Sequence, residues 1–113
     1  MISITIPIPE KVSTNKIYAG THWAQRKKIA DLYHMSLIEH KGHKVTEYPV
    51  EITYIFRFKT KPLDSTNCMF MAKCLEDGLI KNGIIEDDSY QHVSFTGAYT
   101  QKGTSDEVTI HII

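Results

Sequence analysis

Apolar and polar residues alternate along Ile2 to Ile8, where four isoleucines are spaced by Ser3, Thr5 and Pro7. That period of two predicts a strand with a proline-punctuated end. The same period returns from Pro49 to Thr60. Val50, Ile52, Tyr54, Phe56 and Phe58 oppose Glu51, Thr53, Arg57 and Lys59, with Ile55 as the one apolar exception. A long strand with one buried face is expected there. Residues 9 to 20 are polar and turn-rich and predict a long loop. A helix capped by Thr21 is expected to run to about His40, with Ile29, Leu32, Tyr33 and Leu37 on one face and Gly42 as its stop. Trp23, Met35 and Ile38 belong to the same apolar set. A second helix is predicted from about Asn67 to Asn82. Gly83 suits its C-terminal end, and Gly78 weakens its interior. Residues 84 to 88 are extended in character. Residues 90 to 100 and 106 to 113 read as two strands joined into a hairpin by the turn QKGTSD. The fold class that follows is α+β, a small mixed β-sheet with two helices packed on it.

At 113 residues and 42% hydrophobic content, one domain over residues 1–113 with a sizeable core is expected. No apolar run is long enough to cross a bilayer, and the start lacks a basic region and a cleavage site, so a soluble cytoplasmic protein with no membrane partner is expected. Cys68 and Cys74 lie six apart on a predicted helix. They are separated by about 9 Å along its axis and point to different faces, so both read as reduced core residues. The formal net charge is zero, but it is unevenly divided. Residues 1–60 hold nine Lys or Arg against five acids, and residues 61–113 hold four against eight. A basic half suits phosphates and an acidic half suits cations, although fluctuation of surface charge produces the same asymmetry.

Chemistry concentrates between Pro62 and Ser89. Asp64 precedes the second predicted helix, Lys73 and Asp77 lie four apart within it, and Asp87 and Asp88 follow it. The helix is about 24 Å long and the extended run after it travels about 16 Å. If that run turns back along the helix, Asp88 approaches Asp64 and two carboxylates face one cation. Each residue also has an ordinary role: Asp64 and Asn67 as caps, Lys73 and Asp77 as an i,i+4 pair, and Asp87–Asp88 as a turn. Taken together they suit attack on a phosphodiester. Carboxylates would hold a metal that neutralises charge and lowers the pKa of a bound water, and a lysine would stabilise the developing charge. Ser13, Thr14, Asn15, Lys16 and Tyr18 offer groups for a phosphate backbone and for base stacking, and Arg26, Lys27 and Lys28 offer cations; a solvated loop and helix face is the plain alternative. There is no H-E-x-x-H, no G-x-x-x-x-G-K-[ST] and no G-x-G-x-x-G.

These motifs resemble the RusA family of Holliday junction resolvases found in phages and prophages. The resemblance rests on D-x-x-N (Asp64, Asn67), K-x-x-x-D (Lys73, Asp77), G-[IV]-I-x-D-D (Gly83 to Asp88) and a proline-ended strand leading into S-T-N-K-I-Y (Ser13 to Tyr18). It implies a RusA-like homodimer that nicks four-way DNA junctions with Mg²⁺. Asp64, Lys73 and Asp88 would then be catalytic, with Asp64, Asp87 and Asp88 on the metal and Asn67 and Asp77 in support. Asn15, Lys16, Tyr18, Arg26 and Lys27 would meet DNA. Two departures stand out. Thr66 occupies a position that is acidic in the usual D-x-D-N pattern, and Lys73 follows Asn67 by six residues rather than three. Three residues are nearly one helical turn, so the lysine keeps roughly the same face. The missing acid opens an alternative, a non-catalytic DNA-binding RusA-like protein that has lost part of the metal site. A dimeric protein-interaction module with an incidental acidic turn is the third reading.

Overall fold

The alternation in the middle of the chain becomes strand β2 (Val50–Phe58), whose Val50, Ile52, Tyr54, Phe56 and Phe58 are all buried. This and the following descriptions come from a computed structural model in which all 113 residues are described. β1 (Ile2–Pro7), β3 (Val93–Lys102) and β4 (Glu107–Ile112) complete one four-stranded mixed sheet in the order β1-β4-β2-β3. β4 runs antiparallel to both β1 and β2, and β3 runs parallel to β2. Register puts Ile4 and Tyr54 on either side of Ile110, and Ile6 and Phe56 on either side of Val108. One face of the sheet is therefore apolar across three strands, and it forms one core of 25 buried residues with the helices. The fold is α+β, and no helix is long and apolar enough to cross a membrane.

Three α-helices are present rather than two: α1 (Thr14–Tyr18), α2 (Trp23–Met35) and α3 (Met69–Lys81). The expected loop over residues 9–20 contains α1, capped by the Ser13 hydroxyl, which accepts from the Lys16 N–H at 3.1 Å. A five-residue helix with only Ile17 buried carries too short an apolar pattern to register as periodic. α2 is capped by His22 rather than Thr21, its Nδ1 accepting from Ala24 N–H at 3.2 Å. It stops at Met35, and a 3₁₀ turn covers Ile38–His40. Of its expected apolar face, Ile29, Tyr33 and Leu37 are buried, whereas Leu32, Trp23, Met35 and Ile38 are exposed.

α3 begins later than expected, after a 3₁₀ turn over Ser65–Cys68. Gly78 has a packing role. A Cβ there would stand 3.0 Å from Leu37 Cδ1 and 3.3 Å from the His34 ring, so α2 lies close against it. Gly83 ends the helix with φ +72°, in the left-handed region open to glycine. Cys68 and Cys74 are buried free thiols, and burial pushes them up to about 11 and about 12.

The hairpin expected between the last two strands is absent. β2 lies between β3 and β4, and the connecting turn crosses the end of β2. Gly103 N–H donates to the Phe58 carbonyl at 2.9 Å, and Lys59 N–H donates to Asp106 Oδ1 at 2.8 Å. A Cβ on Gly103 would stand 2.8 Å from Arg57 Cβ, so the glycine permits the crossing. Local turn chemistry cannot tell a hairpin from a turn that passes over a third strand, because the partner that decides it is about 50 residues away.

Candidate functional site

α1 is tied to the start of α3 by two polar contacts. Thr14 Oγ1 accepts from Phe70 N–H at 3.0 Å, and Asn67 Oδ1 accepts from Asn15 N–H at 3.1 Å. Asn67 is thus a strut between two segments far apart in sequence. The strut sets Tyr18, at the end of α1, beside the first turns of α3. A cavity of about 410 Å³ lies there, lined by Thr14, Tyr18, Met69, Phe70, Lys73, Glu76, Asp77, Asp88 and Thr96. A second cavity of about 340 Å³ shares Tyr18, Phe70, Lys73 and Asp77 with the first and extends to Trp23, Arg26 and Lys27. The two adjoin along Tyr18, Phe70, Lys73 and Asp77; Glu76 and Asp88 line only the first, and Trp23, Arg26 and Lys27 only the second.

The structure therefore brings Lys73, Asp77, Asp88 and Tyr18 to one cavity, and Arg26 and Lys27 to the adjoining one. Lys73 Nζ stands 3.9 Å from Asp77 Oδ2 in an exposed pair that holds the lysine only loosely. Lys27 pairs with Asp31 at 2.9 Å.

Asp64 does not join them. It lines a different cavity with Lys11, Lys61 and Asn67, so its expected meeting with Asp88 is not seen. The segment after Gly83 explains this. Ile84 and Ile85 turn into the core and donate to the Leu79 carbonyl, so the run forms bends rather than an extended strand. Even fully extended it covers about two-thirds of the helix length. Asp88 accordingly lines a cavity with Met69, Phe70, Lys73 and Asp77 of α3, and Asp64, ahead of the 3₁₀ turn, does not line it. Asp64 makes no side-chain capping bond either; only its carbonyl takes part, accepting from Asn67 N–H at 2.8 Å. Asp87 is exposed and lines neither cavity. Asn15 and Lys16 are exposed, and Lys16 borders a separate groove with Lys11 and Gln25.

Glu76 is the site residue that sequence reasoning missed. Its Oε1 accepts from Thr96 Oγ1 at 2.8 Å and from the Tyr54 hydroxyl at 3.1 Å, which fixes the carboxyl between α3, β2 and β3. Burial pushes its pKa above the ordinary glutamate value, and the charges of Asp88 and Asp77 add to the rise, against the two hydroxyl donors. A signal was available, because Glu76 follows buried Ala72 by four residues and precedes buried Leu79 by three, at the border of the apolar stripe.

The raised pKa has a direction that can be tested. The folded state binds the Glu76 proton more tightly than the unfolded chain does. The associated stability is complete below the ordinary carboxylate pKa and is lost as pH rises through the folded value. Melting curves of Glu76→Gln, in EDTA between about pH 4 and pH 8, should show a stability advantage over wild type that opens as pH rises and closes in acid. An advantage that widens in acid would contradict this environment. Asp77, Asp88, Lys73 and Tyr54 are the other titratable groups around it.

No set of three His, Cys, Asp or Glu side chains stands ready to hold a metal ion. The donors in the cleft are nonetheless hard oxygens of the kind Mg²⁺ takes, and Mg²⁺ is commonly held by one or two carboxylates with waters and substrate phosphate completing its shell. Asp77 and Asp88 fit that requirement. No protein-family model and no curated protein matches the chain.

Proposed function

We propose that this chain is a RusA-like, Mg²⁺-dependent endonuclease that resolves four-way DNA junctions by phosphodiester hydrolysis. One observation carries the reading: the cavity that holds Asp77 and Asp88 shares Tyr18, Lys73 and Asp77 with an adjoining one lined by Trp23, Arg26 and Lys27. Cations on one lip would hold a phosphate backbone, aromatics would meet bases, and the carboxylates would take a divalent ion. Asp88 and Asp77 would hold the ion, which when bound would supply charge neutralisation and a water of lowered pKa. Lys73 contacts the scissile phosphate and stabilises charge as the bond breaks. Glu76 supplies a further carboxyl to the same cavity. A cytoplasmic location accords with DNA as substrate and with two reduced thiols.

Paired cuts on opposing strands require two sites, which a two-fold dimer supplies. Edge strand β3 suits that contact. It has no charge from Val93 to Gln101, and an antiparallel copy centred on Gly97 sets Phe95 opposite the partner's Tyr99 twice.

The test is junction binding in EDTA, where no strand is cut. Binding at low salt with two chains per junction is expected, weakening steeply as salt rises. No affinity at low salt would overturn both the nuclease and the non-catalytic DNA-binding reading, and would leave the protein-interaction module. The departure at Thr66 favours the non-catalytic alternative, and cleavage in Mg²⁺ separates the two.

A further inference from the structure

Two aromatic side chains at the cleft are left largely in solvent. Tyr18 is 68% exposed and Trp23 is 65% exposed, and neither belongs to the core. Both line the same cavity of about 340 Å³, a size typical of small-ligand clefts. Trp23 sits at the first position of α2, with the His22 ring at 5.5 Å between centroids and tilted 33° against the indole. Arg26 follows it by about one helical turn, and Lys27 and Lys73 border the same cavity. Flat apolar faces ringed by cations complement a nucleotide, whose base is a π-surface and whose backbone is an anion. A paired base inside a duplex presents no open face, so the occupant that fits is an unpaired one.

We infer that the Tyr18–Trp23 cavity is a stacking site for an unpaired nucleobase, next to the carboxylates that would act on the adjoining phosphate. This rests on the nuclease reading for its purpose, although the stacking itself does not depend on catalysis. It narrows the substrate to DNA with at least one base free of its partner near the cut, as at a branch point whose central pairs have opened.

The chain contains one tryptophan, so its fluorescence reports on this site alone. Wild-type protein in EDTA is titrated at low salt with oligothymidine, with an abasic strand of equal length and with a fully paired four-way junction. Oligothymidine should quench Trp23 emission, and the abasic strand should bind without quenching it. Trp23→Ala, an exposed position that leaves the core untouched, should weaken oligothymidine binding by about 5- to 150-fold in anisotropy. The same variant should leave abasic-strand binding in place. Oligothymidine that binds without quenching, with Trp23→Ala unchanged in affinity, would overturn the stacking site while a bound junction still supported the nuclease reading. Failure of all three DNAs to bind would overturn both.

Discussion

Asp88→Asn is expected to lower Mg²⁺-dependent junction cleavage by roughly 10²-fold or more, while junction binding in EDTA persists. Asparagine keeps the size of the side chain and removes its charge. Asp88 is exposed at the cleft with Lys73, Glu76 and Asp77, so the loss falls on ion and phosphate and leaves the core intact. Asp64→Asn is the informative comparison. The resemblance to RusA resolvases implies a catalytic carboxylate at both positions, but the structure separates them into two cavities. The effect at Asp64 should be the smaller one. Equal losses at the two positions would mean that they converge when DNA is bound, and full cleavage by Asp88→Asn would refute the site.

The largest effect on stability is expected at Phe56. It is fully buried on the central strand β2, between the rings of Tyr54 and Phe58 at 6.4 Å and 6.3 Å, and it lies opposite Val108 in the register with β4. Phe56→Ala should cost about 3–5 kcal/mol, through lost burial and the cavity left behind. That is a large share of the roughly 5–15 kcal/mol that holds a domain of this kind together. Tyr90→Ala, at a position 82% exposed, should stay within about 0.5 kcal/mol of wild type. Urea unfolding followed by far-UV circular dichroism measures both. Similar midpoints for the two variants would contradict the placement of the core.

β2 was legible because a strand buried on one face writes its environment directly into a period of two, and the buried set matches the alternating set. The second long helix was legible for the corresponding reason, with Gly83 supplying the stop. What depends on partners distant in the chain was not. QKGTSD has the composition of a hairpin turn, yet β2 enters between the strands it connects. α1 is held by Ser13 and by contacts to Asn67 and Phe70, which no local window contains. Within the site, the grouping of Lys73 with Asp77 followed from helical spacing, whereas the placement of Asp88 with them did not, because a return to Asp64 was expected. The expectation that Asp88 would reach Asp64 assumed an extended run, whereas burial of Ile84 and Ile85 turns that run inward. Glu76 was hidden beside Asp77 in what reads as a solvated pair of acids. Tyr54 and Thr96, which hold it, lie on two other elements. Trp23 counted as one more apolar residue of its helix, and its exposure beside Arg26 and Lys27 is what the stacking proposal rests on.

The most direct test is incubation of the purified chain with an end-labelled four-way junction, once with Mg²⁺ and once with EDTA. Paired nicks on opposing strands in Mg²⁺, and intact junction in EDTA, are the predicted result. A junction that is bound but uncut at any Mg²⁺ concentration would contradict the nuclease, and would leave a DNA-binding protein in which Asp88 and Lys73 do no chemistry.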